Sequence, residues 1–451
     1  MKRVLPVFAC WLRIVLFLLL SGGAVCATDF ELKFVKSSES PRDRVPMSRK
    51  SLTLQTSVPQ GGYRLPRLSA KMPLYAAIDI GDKPRLLILD MRAANSKYYD
   101  RIHVDANGNL DFSDNPPIDG TIGSSGEACW TEFPEADLVV DVAGRQLPYR
   151  LEARAYCRSM KEFASASAEQ LVKDRQVTAD VYSKCFYAAT AGLGADSYRL
   201  VVFDRNVNGR FGDMPRISPE SDTRQNSRSQ PVYLDGDGLF ISGDTGAGSA
   251  MEQPMATHVS LRGQLFEFKP DVPAGRVALL PVTVNLGDVA LPAETERVAL
   301  QSDPGTVVIA AFRPGKQLKL PYGSYKLLGY QLVRTDAAGA TWQLQGVATW
   351  GRKAVSVSGG MTAKLLYGEP FLPRAVVPRW QQAGIGGNEP VQLAFLLEGV
   401  QKEQVQSVTQ IDGTSSSVEM SKSRRLNPLE PRYRIVDSRG AVAAEGSFEY
   451  G

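Results

Sequence analysis

Residues 98–118 and 197–217 repeat one another without a gap, and the places that agree are rich in side-chain oxygens. The identical pairs are Tyr99/Tyr198, Asp105/Asp204, Asn107/Asn206, Asn109/Asn208, Phe112/Phe211, Asp114/Asp213, Pro116/Pro215 and Ile118/Ile217. Each copy sets oxygens at loop positions 1, 3 and 5, as Asp105, Asn107, Asn109 and as Asp204, Asn206, Asn208. A hard cation such as calcium takes six to eight oxygens at about 2.3–2.6 Å, and alternate side chains of a coiling segment supply them. Asp114 and Asp213 add a carboxylate at position 10, and the backbone carbonyls of Asp111 and Arg210 at position 7 would complete each shell. So few carboxylates, with Arg205 and Arg210 opposing a cation in the second copy, imply weak binding in the range of about 10⁻⁴–10⁻³ M.

These loops resemble the EF-hand pattern D-x-[DN]-x-[DN]-G and, more loosely, the calcium loops of dockerin and thrombospondin-type repeats. Two departures stand out: Pro116 and Pro215 replace the closing bidentate Glu, and Leu110 replaces the glycine of position 6 in the first copy. The apolar runs Ile102–Val104 and Leu200–Phe203 read as strands, and the prolines discourage a helix after each loop. The expectation is therefore EF-hand-like loops without the helix pair, in which calcium stabilises rather than switches. The competing reading is a pair of tight connections, since Asp, Asn and Gly also build Asx turns with no metal. A third stretch, Leu234–Phe240, has Asp235 and Asp237 in Asp-Gly dipeptides and reads as a hairpin turn.

The elements around the loops are short apolar runs separated by turn residues. Leu74–Ile80 and Arg85–Met91 flank Gly81-Asp82-Lys83-Pro84, and Ala136–Val142 and Gln146–Ala155 flank Ala143-Gly144, which are hairpin signatures. Runs at Val307–Phe312, Gln317–Leu320, Ser324–Val333, Thr341–Trp350 and Ala363–Tyr367 follow the spacing of a β-sandwich. Short helices are expected near Ser167–Arg175 and Val376–Gln382. The fold class expected is mainly β: an antiparallel N-terminal domain carrying the two EF-hand-like loops, then β-sandwich modules of Ig-like or transthyretin-like type. The expected division is a signal peptide at 1–27, a flexible arm at 28–70, the loop-bearing domain at 71–275, a sandwich at 276–370, a connector at 371–389 and a small β module at 390–451. Strands leading into D-x-N-x-N-G-x-F-x-D loops, sandwich modules behind them and the closing Gly446–Gly451 together resemble uncharacterised exported bacterial proteins. That resemblance implies architecture and export, and no reaction.

Lys2-Arg3, the apolar run Ile14–Leu20 and the small residues before Ala27 form a secretory leader pattern, with an apolar core too short to span a bilayer. The expected location is the periplasm, the cell surface or the exterior. The formal charge of +4 falls to about +1 without residues 1–27, which hold Lys2, Arg3 and Arg13 and no acid. Such balance offers no bulk attraction for nucleic acid or anionic lipid. Cys129, Cys157 and Cys185 then allow at most one internal disulfide, worth roughly 3–4 kcal/mol for a loop of about 28 residues, or three buried thiols.

Two histidines, His103 and His258, leave little room for His-based catalysis or multi-His metal sites. His103 reads as a surface strand residue. GxSxG, HExxH, CxxC and Walker A motifs are absent from the sequence. Glu127 and Glu132 bracket Trp130, a combination that a sugar subsite would use, although spatial pairing is invisible in a sequence. The functional expectation is a non-enzymatic exported calcium-binding scaffold or binding protein for an extracellular or periplasmic polymer or protein. The alternatives are a secreted carbohydrate-active enzyme using Asp/Glu pairs, and glycan- or protein-binding modules without metal.

Overall fold

A computed structural model describes residues 28–39, 48–217, 234–243, 253–303, 305, 307–349, 351–377, 393–411, 432–436 and 439–447. The leader pattern at 1–27 lies outside the described residues.

Hairpins form where apolar runs flank the turn residues. Leu74–Ile80 buries Leu74, Ala76, Ile78 and Ile80 and pairs antiparallel with Lys83–Asp90, the chain reversing at Gly81 with φ of 70°. Arg101–Val104 and Ile118–Asp119 extend this pair into a four-stranded sheet, and the first duplicated loop lies between them. A five-stranded sheet built on Cys185–Leu193, Asp196–Phe203 and Gly238–Gly243 carries the second loop in the same way, directly after Phe203. Between them, a six-stranded sheet is centred on Arg145–Cys157, which pairs with Ala136–Val142, Val177–Ser183 and Ala128–Glu132.

The largest sheet has twelve strands and runs from Thr28–Glu31 at one edge to Leu372–Val376 at the other. Its centre is covered on both faces. Ala299, Val308, Ala310 and Phe312 join the N-terminal core, while Val298, Leu300, Ile309 and Ala311 join a second core. Val289, Leu318 and Leu320 of a three-stranded sheet close that second core as a sandwich. Burial on both faces explains why Val308–Phe312 reads as an unbroken apolar run rather than an alternating one.

The segment 28–70, expected to be an arm, contributes strands to three sheets: Thr28–Glu31 pairs with Arg276–Pro281, Lys33–Lys36 with Cys185–Leu193, and Ser48–Leu52 with Val177–Ser183. The helix expected at Ser167–Arg175 is Ala168–Lys173, its first turn capped by Ser167, whose Oγ accepts from the Gln170 N–H. Of the helix expected near Val376–Gln382, Val376 is the last residue of an edge strand, and residues 378–382 lie outside the described residues.

The fold is mainly β, multidomain and sandwich-like. The EF-hand-like part of the expected fold class is corrected: the described α-helices are Met160–Ser165 and Ala168–Lys173, six residues each, and neither flanks a duplicated loop.

Candidate functional site

The two loops share one backbone path. Positive φ falls at positions 4 and 6 in both, on Gly108 (71°) and Leu110 (67°) in the first and on Val207 (53°) and Gly209 (74°) in the second. Each copy therefore has one glycine at a left-handed position and a bulky side chain at the other, and contacts decide which. A Cβ on Gly108 would lie 1.3 Å from Nη1 of Arg85, and a Cβ on Gly209 would lie 2.5 Å from Cγ2 of Ile80.

Except for the buried Asn206 Oδ1, which meets no donor, their side-chain oxygens are turned inward onto N–H groups. In the first loop Asp105 accepts from the backbone of Gly108 (2.8 Å) and Leu110 (3.3 Å), and Asn107 and Asn109 donate their amides to Asp114 (3.0 and 2.8 Å). Asn109 accepts from the N–H of Asp111, whose own carboxylate accepts from Ser113 and from the Arg64 guanidinium at 3.1 Å. The second loop repeats the motif: Asp204 accepts from Asn208 (3.1 Å) and Gly209 (2.6 Å), Asn206 and Asn208 donate to Asp213, and Asn208 accepts from Arg210. Phe112 and Phe211 anchor the loops, Phe112 against Tyr75, Leu86 and Ile88, and Phe211 against the rings of Tyr149 and Tyr187.

What lies under each loop differs. Beneath the first is Arg85, 1% exposed, held by a 2.6 Å bond to the Val139 carbonyl and attracted by Asp105 and Asp141. Beneath the second there are acids: the Tyr149 hydroxyl donates to Asp204 at 2.8 Å, and Asp237 accepts from the N–H groups of Arg205, Gly212 and Asp213. Burial pushes Asp204 up to about 6, and burial together with the facing Asp204 and Asp213 pushes Asp237 up to about 8. Both loops also dock: Val139 donates to the Ala106 carbonyl, Gly81 donates to the Asn208 carbonyl, and the Arg210 guanidinium reaches Gly81 and Asp82.

The calcium expectation is corrected by this arrangement. Asp105, Asn107, Asn109, Asp111, Asp114 and Asp204, Asn206, Asn208, Arg210, Asp213 are brought together as spaced in the sequence. They close hydrogen-bonded turns rather than a shell of oxygens, and the Arg210 side chain is a clamp on the neighbouring hairpin. Among the described residues, no group of three or more His, Cys, Asp or Glu side chains is arranged to hold a metal ion. The metal-binding and EF-hand-like assignments go with it. Arg85 was legible only as the start of a strand; a lone basic residue inside the run Arg85–Met91 was the available signal.

The other candidates resolve plainly. His103 is buried, not at the surface, with Nε2 3.2 Å from Asp90 Oδ2. Burial alone would raise Asp90, yet the bonds from His103 and the backbone of Ala70, Met91 and Ser69 hold it below the usual carboxylate range. Glu127 binds the Ser159 hydroxyl, Glu132 pairs with Arg154, and Trp130 lies against Gly123. The two carboxylates beside Trp130 are thus each engaged elsewhere.

A cavity of about 630 Å³ opens in the sandwich region, a site the sequence did not mark. The hairpin of Gly323–Thr335 and Thr341–Val347 forms one wall, with Leu332, Trp342 and Leu344 facing it; Tyr367 and Phe371 form another, and Val408 a third. The hairpin tip is locked by Asp336, which accepts from the N–H groups of Ala338 and Ala340 and from the Trp342 indole at 2.8 Å. The Tyr367 hydroxyl meets the Thr295 hydroxyl at 2.7 Å and its ring lies 4.7 Å from that of Tyr330, which fixes the floor. Arg334 and Glu369 pair at the rim beside Lys364.

Comparison with protein-family models, curated proteins and solved structures finds no match for this chain. The likeness to exported bacterial proteins with calcium loops is accordingly corrected: no relative supports it, and the loops lack the helices that an EF-hand requires.

Proposed function

We propose that the chain is a binding protein whose ligand seat is the sandwich cavity, held on a β-scaffold that the duplicated loops clasp together. The observation that carries this reading is the cavity itself: about 630 Å³, within the ~300–1,000 Å³ of small-ligand sites, with apolar walls and a few polar groups at its rim. Leu332, Leu344, Val408 and Phe371 suit a hydrocarbon or aromatic group, and the Trp342 ring, pinned by Asp336, offers a flat face for it. Lys364 and the Arg334–Glu369 pair would orient a polar end. Export through the leader pattern at 1–27 belongs to the same proposal and is supported by sequence alone.

The test is titration of the full chain with anilinonaphthalene sulfonate and with long-chain fatty acids, followed by probe fluorescence. Saturable enhancement, displaced by the fatty acid and lost in Val408→Asp, is the expected result. Equal fluorescence in wild type and Val408→Asp would refute the cavity as the seat.

A further inference from the structure

Three of the five cysteines lie among the described residues, all as buried thiols. The antiparallel pairing of Ala128–Glu132 with Arg145–Cys157 sets Cys129 directly across from Cys157. Directly opposed residues in such a pair have Cα atoms about 4.5–5.5 Å apart, inside the ~4.4–6.8 Å that a disulfide spans. Cross-strand partners project to the same face, here the core, where Cys129 and Cys157 are 3% and 2% exposed and their thiols interact side chain to side chain. Cys185 is placed otherwise: it opens a strand of the five-stranded sheet, opposite Lys36, and its sulfur accepts from the Arg150 N–H at 3.2 Å.

We propose that Cys129 and Cys157 form a cross-strand disulfide, with a small-molecule disulfide of the glutathione type as oxidant, and that Cys185 stays a thiol. One cysteine thiolate attacks the oxidant, forming a mixed disulfide and expelling one small thiolate. The second cysteine attacks the protein sulfur of that mixed disulfide, closing the bridge and expelling the other. The two cysteines lose two electrons to the oxidant, and their two protons end on the two released thiols.

Burial pushes the Cys129 thiol up to about 12 and raises Cys157, so the folded, reduced chain reacts slowly and the bridge closes while the sheet is forming. Oxidation has a local consequence. In the reduced chain the Cys129 thiol donates to Met160 Sδ at 2.9 Å and that of Cys157 to the Ser159 carbonyl at 3.3 Å, both at the start of the helix Met160–Ser165. Bridging removes both donors from that helix end. None of this depends on the cavity.

The experiment is to refold the full chain from reductant and denaturant into a glutathione redox buffer, alkylate, digest with trypsin and map the peptides. The expected product links peptide 102–145 to peptide 155–158, lighter than their sum by two hydrogen atoms, with peptide 185–199 alkylated on Cys185. Alkylation of all three described cysteines, or a bridge that includes Cys185, Cys10 or Cys26, would overturn the proposal. Cys185→Ala should keep the link and an upward shift in melting temperature that reductant abolishes; Cys157→Ala should lose both. A Cys157→Ala chain that still responds to reductant would likewise overturn it, and the wild-type peptide map decides the matter should a variant fail to fold.

Discussion

The loops at 105–114 and 204–213 share a backbone path and the amide bonds onto Asp114 and Asp213, yet they solve the problem of a fully buried aspartate in opposite ways. Under the first, Arg85 brings a permanent positive charge towards Asp105; under the second, Tyr149 and backbone N–H groups hold Asp204 while Asp237 retains a proton well above its usual range. A duplicated sequence pattern therefore fixes a path for the chain without fixing its electrostatics. The neighbours that decide the charge, Arg85, Tyr149 and Asp237, all lie outside the repeat.

The sharpest way to break the contrast is Arg85→Met, which removes the buried cation that faces Asp105. Removing one partner of a buried charge pair costs about 3–5 kcal/mol, and urea unfolding of the full chain should show a loss towards the lower end, because Arg85 bonds directly to Val139 and not to Asp105. Unchanged stability would mean that Arg85 does not serve the first loop.

Exchanging the glycines tests the shared path. Gly108→Ala combines a left-handed φ with a Cβ in the space of Arg85, and should cost about 2–3 kcal/mol. Gly209→Ala meets only a methyl of Ile80 and the backbone of Gly81 and should cost about 1–2 kcal/mol. The reverse order, read from the same unfolding curves, would say that Arg85 is displaced at little cost.

The smallest signal at any one pH is a slope. Carboxylates of the unfolded chain titrate near ~3.9, whereas folding lifts Asp204 to about 6 and Asp237 to about 8. The folded chain thus holds protons that the unfolded chain gives up. Their contribution is complete below the unfolded value and is lost as pH rises through about 6 and about 8. Melting temperature should fall across that window, and Asp237→Asn should flatten the fall; an unchanged slope in the variant would remove Asp237 as its source.

Much of the local structure was legible. Apolar runs flanking turn residues placed Leu74–Ile80 and Ala136–Val142 where they stand, and Ser167 marked the start of a helix. Long-range pairing was not. Thr28–Glu31 and Ser48–Leu52 are short and half exposed, so their apolar content is too low to announce strands that pair with Arg276–Pro281 and Val177–Ser183, each more than a hundred residues away. At the loops the residues were found and their chemistry was misjudged, because oxygens at alternate positions suit a cation and an Asx turn equally well. Only the position of Arg85 and the direction of the Asn107, Asn109, Asn206 and Asn208 amides distinguish the two. The sandwich cavity is lined from stretches distant in sequence, around 290–294, 332–344, 364–371 and 400–408, and no local pattern in any of them marks it.

The most direct measurement is a thermal unfolding scan of the full chain in a chelator and in millimolar calcium. Loops closed by their own hydrogen bonds predict coincident curves, since Asp105, Asp114, Asp204 and Asp213 all accept from N–H donors within the loops without a metal. A calcium-dependent rise in melting temperature, reduced by Asp105→Ala or Asp204→Ala, would contradict the account at its centre.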